Sequence, residues 1–327
     1  MRKVKYILLL SILSTFVYSQ DTTIVYYNHE WEEIDNKEYA SFYRKSFTDS
    51  SGAHAVYDYF ISGKIQMTGT YKTKKEKKQS GLFTYYYENG QQQSHGRYSE
   101  GLKVGKWTQW YENGRVKSEG EYAKGELNGS WKYWHENGEV RSSGSYTEGK
   151  REGEWQFWFD NGNPEAGGRY DDYQRQGKWM YYYENGQKSR EGYYNKDLVV
   201  GEWTYWFESG ERKAAGVFNE GERTGTWSFW HKNGTLNSNE TYLKGELTSA
   251  IGYHPNGNLN YEGNYQNGIR HGKWVFSNAS GRIYLEGTFE KGKHEGEWVR
   301  YFPAGEMKLL YKKGRLQNKR LGGIVNR

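Results

Sequence analysis

Aromatic and polar residues alternate over short segments of this chain. In KWTQWY, at Lys106–Tyr111, the residues Trp107, Gln109 and Tyr111 fall on one side of an extended segment, and Trp110 falls on the other. Period-two alternation predicts β-strands, because successive side chains of a strand point to opposite faces. The later segments WKYWH, WQFWF and WMYYY predict one nearly solid aromatic face and one mainly polar face.

The polar face carries a single column of rings. Its members are Tyr86, Trp110, Trp134, Trp158, Tyr182, Trp206 and Trp230. Because Trp and Tyr dominate the energetics of protein interfaces, this aromatic column is the candidate contact surface for a partner. The alternative interpretation is that the rings only pack between neighbouring hairpins.

Each aromatic segment ends in a polar sequence of one type. WYENG, at Trp110–Gly114, recurs at 24-residue steps as YYENG, WHENG, WFDNG and close variants. Asn-Gly between two strand-like segments predicts a β-hairpin with a two-residue type I′ turn, since both residues accept positive φ. Such a turn would place Glu112 opposite Arg115. HPNG and FPAG, with Pro255 and Pro303, are degenerate versions of this tip.

Three glycine columns keep the 24-residue register over about 220 residues. The first runs from Gly81 to Gly296 and is interrupted at Thr248, where one residue has been lost. The second runs from Gly90 to Gly305. A fixed period of this length is typical of a repeat protein whose units pack on their neighbours.

The third glycine column predicts a packing contact. Counting back from the tips places Trp107 opposite Gly120, Trp131 opposite Gly144 and Trp155 opposite Gly168. An aromatic ring that covers a cross-strand glycine stabilises a sheet. These six residues are therefore predicted to be structural.

The unit G-x-W-x-x-[YW]-[YFH]-x-N-G, followed by G-x-[YF]-x-x-G, resembles the MORN-repeat variant of bacterial proteins. Gly129–Gly138 match its first half and Gly120–Tyr122 its second, and the resemblance covers about residues 54–314. It implies an all-β fold: an elongated single-sheet β-solenoid of about ten stacked antiparallel β-hairpins. Many members carry an antitoxin label of the YwqK type, so the resemblance also implies an antitoxin-like or immunity-like role.

The other segments flank this repeat array. Residues 1–19 have a basic start and an apolar run, which predict a signal peptide. Residues 20–53 lack the period and are predicted to cap the sheet edge. Residues 315–327 form a basic tail that is predicted to be loose.

Three positions depart from the repeat. Tyr173 and Asp197 replace glycines of the turns between hairpins, so these two turns are predicted to take another shape. Around Thr248 the unit also lacks its Trp, which predicts a bend or a weak point.

The composition and charge bear on the cellular compartment and exclude chemistry that requires cysteine. The chain has 42 Gly, 32 Tyr and 14 Trp but no Cys, which excludes disulfides, thiol catalysis and iron–sulfur clusters. Loss of the signal peptide would lower the net charge from +6 to about +3, which does not suggest nucleic-acid binding. We expect an exported monomer, in the periplasm, at the cell surface or secreted, without a transmembrane segment.

No pattern indicates catalysis, a cofactor or a metal. The ring position before the tip holds His135, His231 and His254, which are predicted to be structural because Phe and Tyr fill it elsewhere. His271 and His294 are offset by one position and have no Cys or carboxylate spacing to support a metal site. The pair Asp171–Asp172 fits a solvated turn better than a calcium site. The lysine run Lys72–Lys78 fits a solvated loop better than a docking site for an acidic partner.

Two functions remain open. The first is an exported, non-enzymatic scaffold that binds a protein partner, of which the antitoxin-like role is one version. The second is glycan binding at the cell envelope, which exposed rings beside polar groups would favour and buried rings would weaken. Binding of membrane lipid is disfavoured by the nearly balanced charge and the lack of an amphipathic helix.

Overall fold

The structure is a computed structural model that describes residues 22–48, 52–74 and 78–321. Contacts divide the chain into two compact units: Met1–Arg115 with Tyr122–Gly125, and Val116–Glu121 with Glu126–Arg327. Their described residues form antiparallel β-strands, apart from a single 3-10 turn, so the predicted all-β fold of stacked hairpins is confirmed. Within the described ranges, no helix has the length and apolarity needed to cross a membrane. The predicted signal peptide lies outside these ranges.

The part of the first unit that the structure describes contains eight complete strands. They are β1 (Thr23–Tyr27), β2 (Glu33–Ile34), β3 (Phe42–Thr48), β4 (His54–Phe60), β5 (Ile65–Tyr71), β6 (Gly81–Tyr86), β7 (Gln92–Ser99) and β8 (Leu102–Trp110), with the 3-10 turn at Lys37–Tyr39 between β2 and β3. β1 pairs with both β2 and β3, and β3 to β8 pair in chain order. β9 (Val116–Ala123) contributes residues to both units.

The second unit continues the hairpins. Its strands are β10 (Glu126–Trp134), β11 (Val140–Thr147), β12 (Lys150–Trp158), β13 (Pro164–Asp171), β14 (Gln174–Tyr182), β15 (Lys188–Asn195), β16 (Leu198–Trp206), β17 (Arg212–Asn219), β18 (Glu222–Trp230), β19 (Leu236–Leu243), β20 (Glu246–Tyr253), β21 (Leu259–Gln266), β22 (Ile269–Ser277), β23 (Ile283–Glu290), β24 (Lys293–Phe302), β25 (Gly305–Lys312) and β26 (Arg315–Leu321). Each pairs antiparallel with the next.

The last hairpin corrects two predictions. The segment predicted to be a loose tail forms β26 as far as Leu321 and pairs with β25; residues 322–327 lie outside the described part. The FPAG tip is not a version of the common tip: Phe302 lies directly opposite Gly305, so its loop consists of Pro303 and Ala304. The HPNG tip keeps the common form, with the His254 N–H donating to the Asn258 carbonyl.

The common tip is a three-residue loop rather than the predicted type I′ turn. The Tyr111 N–H donates to the Arg115 carbonyl at 2.8 Å, and the Gly114 N–H donates to the Tyr111 carbonyl at 2.9 Å. Of the Asn-Gly pair only Gly114 has a positive φ, of 84°. This geometry is a type I turn followed by a left-handed glycine. Tyr111 therefore lies opposite Arg115, and the prediction for Glu112 is wrong.

A β-bulge offsets the wider loop. In the β10–β11 hairpin, Trp134 lies opposite Val140, but Tyr133 lies opposite Ser142. Arg141 is thus an extra residue on the second strand. The loop shifts the pairing by one residue and the bulge shifts it back, so the strand body keeps the predicted register.

In six of the tips, the Asn before the glycine joins one hairpin to the next. Asn161 Oδ1 accepts from the Asn163 N–H at 2.9 Å, which orders its own loop. Its Nδ2 donates to the Glu184 carbonyl of the following tip, also at 2.9 Å. The same cross-tip bond is made by Asn89, Asn137, Asn185, Asn233 and Asn256. The recurring Asn-Gly therefore serves both the turn and the stacking.

The true type I′ turns lie between the hairpins. At Glu148–Gly149 the φ values are 49° and 78°, and Thr147 pairs with Lys150 across this two-residue loop. The prediction of another shape at Tyr173 and Asp197 is wrong. Asp172–Tyr173 has φ values of 45° and 76°, and Lys196–Asp197 has 50° and 67°.

Each buried Trp covers a glycine of the preceding hairpin. Trp131 lies opposite Gly144 and Trp155 lies opposite Gly168, as predicted. The ring over Gly144, however, belongs to Trp155, because a Cβ on Gly144 would lie 2.3 Å from that ring. The indole N–H of Trp155 also donates to the Ser145 carbonyl at 3.1 Å. We call this Trp–Gly pair between hairpins the interlock.

The prediction that the ring covers the glycine of its own hairpin is therefore wrong. The bulge at Gly153, with a φ of 71°, lies just before Trp155, and the β11–β12 register shifts beside it. Such a bulge re-aims the side chain that follows. The other interlocks are Gly96–Trp107, Gly120–Trp131, Gly168–Trp179, Gly192–Trp203, Gly216–Trp227, Gly263–Trp274 and Gly287–Trp298. These Trp rings form the core, with at most 3% of their surface exposed.

The interlock is missing at the irregular unit around Thr248. Ala250 stands in the Trp column, and Glu240 stands in the glycine column of the strand before it, directly opposite Ala250. Strand pairing continues through this hairpin. The buried rings on its two sides form separate clusters, one that includes Trp227 and one that includes Trp274.

Candidate binding surface

The aromatic column lies at the hairpin tips, on the face opposite the buried Trp rings. Each member is the last residue of its strand, as Trp110 is of β8 and Trp158 is of β12. All seven side chains are half-buried. One part of each ring is therefore packed and another part faces solvent, so packing and contact with a partner are compatible.

Basic side chains lie over several of these rings. Lys132 Nζ lies 5.3 Å from the centre of the Trp134 ring. In the later hairpins, the residue at the start of the returning strand reaches forward. Lys188 lies over Trp206 at 5.5 Å, and Arg212 lies over Trp230 at 5.3 Å. These cation–π contacts fix the orientation of the rings and keep positive charge beside them.

One ring opens onto a depression. Trp158 lines a cavity of about 360 Å³ together with Val140, Ser143 and Lys132. A hydrophobic floor with a polar border is typical of sites that receive a projecting side chain.

A row of uncharged residues lies beside two members of the column, Trp206 and Trp230, whose rings are also contacted by Lys188 and Arg212. A row of paired residues crosses five strands from β16 to β20: Thr204, Ala215, Ser228, Asn239 and Ile251. Charged residues end this row, with Glu191 before it and Glu262 after it. The row lies beside Trp206 and Trp230, and we call these seven residues the neutral patch. An uncharged centre with aromatic anchors and a charged border is the usual composition of a protein interface.

The opposite, aromatic face is occupied by its own side chains. The Arg175 guanidinium stacks 4.0 Å from the centre of the Tyr194 ring and donates to Asp197 at 2.7 Å. Burial works to raise the pKa of Asp197, but the hydrogen bonds from Arg175 outweigh it and hold the pKa below its usual value. Burial raises the pKa of Tyr194, whose hydroxyl accepts from Tyr181 at 3.2 Å. Arg151, Arg223 and Arg270 cover neighbouring rings in the same way.

The histidines of the tip column bond to the following hairpin. Nε2 of His135, His231 and His254 lies 2.8, 3.2 and 2.9 Å from the carbonyls of Trp158, Tyr253 and Ser277. Tyr183 makes the same contact through its hydroxyl. His294 packs 4.0 Å from the Trp298 ring, and burial lowers its pKa. In the described ranges, no three His, Cys, Asp or Glu side chains come together as metal ligands would.

The other charged candidates form local ion pairs. Lys72 and Lys78 both pair with Glu100, at 3.1 and 3.6 Å, while Lys75 and Lys77 lie outside the described residues. Asp172 pairs with Lys150 at 2.6 Å. The neutral patch and the aromatic column therefore remain the best candidates for a contact surface.

The sequence predicted the aromatic column but not the neutral patch of the outer face. The neutral patch depends on which residues of different strands lie side by side, and therefore on the bulges. A signal was nevertheless present, because the stretch Thr224–Ser228 has no charged residue.

Comparisons with known proteins agree with the repeat. The family model described as the MORN repeat variant matches residues 79–99, 103–124, 127–148, 151–172, 175–196, 223–244 and 249–267. No curated protein matches the chain significantly.

Solved structures give only distant likenesses. One is the crystal structure of TcdB2-TccC3, with 10% identity, 84% of this chain and 18% of that chain covered, and a TM-score of 0.18. Another is TcdB2-TccC3 without its hypervariable C-terminal region, with 11% identity, 90% and 17% coverage, and a TM-score of 0.19. The chain spans less than a fifth of either structure. TM-scores this low do not establish a shared fold.

Proposed function

Because the chain belongs to the MORN repeat variant family, we propose that it is a non-enzymatic scaffold that binds a protein partner through its outer face. The observation that carries this proposal is the neutral patch, where Trp206 and Trp230 keep part of each ring exposed beside a row of uncharged residues. Rings of this kind act as hot spots when a partner excludes water around them.

The compartment and the antitoxin-like role belong to the same proposal. The basic and apolar pattern of residues 1–19 supports export, so the partner would be an envelope or extracellular protein. In the antitoxin version, the partner is a toxin whose activity falls when it is bound.

The test is capture by the immobilised chain from an extract of its own cell envelope. One variant carries Trp206→Ser and Trp230→Ser. A matched control carries Trp110→Ser and Trp134→Ser, which lie in the same column outside the neutral patch and do not line the cavity at Trp158. We expect the patch variant to lose at least tenfold in affinity for the captured protein, because truncation of a hot-spot Trp costs about 2 kcal/mol or more.

The control should bind within about threefold of the unchanged chain, and circular dichroism should show that both variants are folded. Equal losses in both variants would contradict the assignment of the contact to the neutral patch, and capture of no protein by the unchanged chain would contradict the proposal as a whole.

Glycan binding is a second candidate function. The exposed part of the column, with Lys188 and Arg212 beside its rings, is the observation that favours it. Sugar analysis of the captured material separates the two candidates, since polysaccharide in place of protein would support the glycan function.

A further inference from the structure

Gly167 has no packing reason to be glycine. Its φ is not positive, and a Cβ built on it would lie 3.5 Å from the Trp155 carbonyl, which is an ordinary contact. The neighbouring Gly168 differs, because its Cβ would lie 2.5 Å from the Trp179 ring. Among the described glycines without a positive φ, every one except Gly167 would bring a Cβ within 3 Å of a ring.

The missing side chain leaves a groove on the outer face. Gly167 lies between Gln156 of β12 and Met180 of β14. The same position carries Ser143 in the previous hairpin and Glu191 in the next. The groove above Gly167 has a volume of about 660 Å³, which is in the range of ligand pockets.

Polar groups of both signs line this groove. Glu154 and Asp171 supply two carboxylates, and Arg169 and Lys178 supply two cations. Within the described part of the chain, the side chains of Glu154, Gln156 and Arg169 make no hydrogen bond or ion pair and are free to bind a ligand.

Apolar surface is present at one end. Met180 lines the groove, and the Tyr182 hydroxyl lies 3.8 Å from its sulfur. Trp158 and Tyr182 stand two residues beyond Gln156 and Met180, on the same face of the sheet, and both rings are half-buried.

We propose that this groove binds a segment of a neutral oligosaccharide. A sugar presents hydroxyl groups that both donate and accept, so it can use carboxylate, amide and guanidinium groups together. A ligand without net charge is not repelled by a groove that carries two carboxylates and two cations. A strongly charged ligand would be repelled by the two groups of its own sign. An added peptide strand has no place here, because both strands beside β13 already use its backbone groups.

This site is independent of the proposed protein interface. The neutral patch begins on β16, and the groove lies on β12 to β14. Protein binding at the neutral patch and oligosaccharide binding in the groove can therefore be tested, and disproved, separately.

The test uses three neutral tetrasaccharides as probes: β-1,4-linked glucose, β-1,4-linked N-acetylglucosamine and α-1,4-linked glucose. Binding to the full chain is followed by NMR spectroscopy of the sugars and by calorimetry. The variant Gly167→Glu fills the groove with the residue that the next hairpin carries. The matched control Ala215→Glu adds the same side chain at the equivalent position two hairpins later.

We expect at least one probe to bind with a millimolar Kd, as is reasonable for an open groove. Gly167→Glu should weaken this binding at least tenfold and Ala215→Glu less than twofold. Thermal unfolding should show both variants folded, since the Gly167 site accepts a Cβ. A milder variant, Gln156→Ala, should weaken binding about threefold without filling the groove.

The proposal would be overturned if no probe binds at 10 mM, or if the two glutamate variants behave alike. It would also be overturned if Gly167→Glu abolished capture of a protein partner while the tetrasaccharides failed to bind. That last result would assign the groove to the protein interface.

Discussion

At the scale of single residues, Tyr173 holds a backbone conformation that glycine holds in the equivalent turns. Its φ is 76° and its side chain is 64% exposed, so the ring gains little from packing. Gly149 takes a φ of 78° at the same place one hairpin earlier. A left-handed conformation costs a non-glycine residue about 1 kcal/mol. Exposed strain of this kind often marks a functional position.

We predict that Tyr173→Gly raises the free energy of unfolding by about 0.5–1 kcal/mol. Release of the left-handed strain outweighs the added freedom of glycine in the unfolded chain. Urea denaturation gives the measurement, and the reverse change Gly149→Tyr should lower stability by a similar amount. A lower stability for Tyr173→Gly would show that the ring makes a stabilising contact.

At the scale of the hairpin, the interlock is the element that couples neighbours. Glycine and Trp occur together: where Ala250 replaces the Trp, Glu240 replaces the glycine before it. The two positions therefore act as one unit across the boundary between hairpins. A ring in place of Ala250 needs a space that the Glu240 side chain occupies.

We predict that Glu240→Gly and Ala250→Trp stabilise the chain only when they are made together. Ala250→Trp alone should cost about 1–3 kcal/mol, because it overpacks the site. Glu240→Gly alone should cost up to about 1 kcal/mol through lost strand preference. A double-mutant cycle by thermal unfolding should give a coupling energy of about 2 kcal/mol or more in favour of the pair. Additive effects would show that the two positions are not an interlock.

Much of the hairpin could be read from the sequence. Alternation indicated which residues share a face, and the 24-residue glycine spacing located every common tip. The turn type at Glu112 was wrong because the same dipeptide also fits a type I turn with a left-handed glycine. In the β10–β11 hairpin, the predicted strand register was still correct, because the bulge at Arg141 offset the extra residue of the tip loop.

The rest of the hairpin geometry could not be predicted from spacing alone. Pairing placed Trp155 opposite Gly168, but the direction of its ring depends on the bulge at Gly153. The aromatic column followed from alternation alone. The groove at Gly167 could not be predicted. The sequence does not show which glycines lie under a ring, as Gly168 does, and which, like Gly167, do not.

At the scale of the whole molecule, stability is distributed along the hairpins. The second unit has one buried cluster around Trp179, Trp203 and Trp227, and another around Trp274 and Trp298. Each hairpin contacts its immediate neighbours, so the energy of the array is roughly a sum of local terms. The hairpin that contains Ala250 separates the two clusters.

We predict that damage to one cluster stays local. Trp274→Ala should remove about 3–5 kcal/mol from its surroundings. Hydrogen exchange should then lose protection in β21 to β24 but keep it in β12 to β14. Trp179→Ala is the matched change in the other cluster. It should lower the exchange protection of β12 to β14 and leave that of β21 to β24 unchanged. Loss of protection over both regions in either variant would indicate that the second unit unfolds as a single cooperative body.

The interlock also constrains how an array of this kind can grow or shrink. A glycine in one repeat serves a Trp in the next, so the unit that must be inherited intact runs from Gly144 to Trp155 and not from tip to tip. Duplication or loss of a whole 24-residue period preserves every such match, wherever the breakpoint falls. A change of length inside that stretch alters the spacing between glycine and ring, although Phe83 still covers Gly69 across a stretch three residues longer. The repeat is one residue short just before Thr248, between the two hairpins whose Glu240 and Ala250 leave no match to disturb.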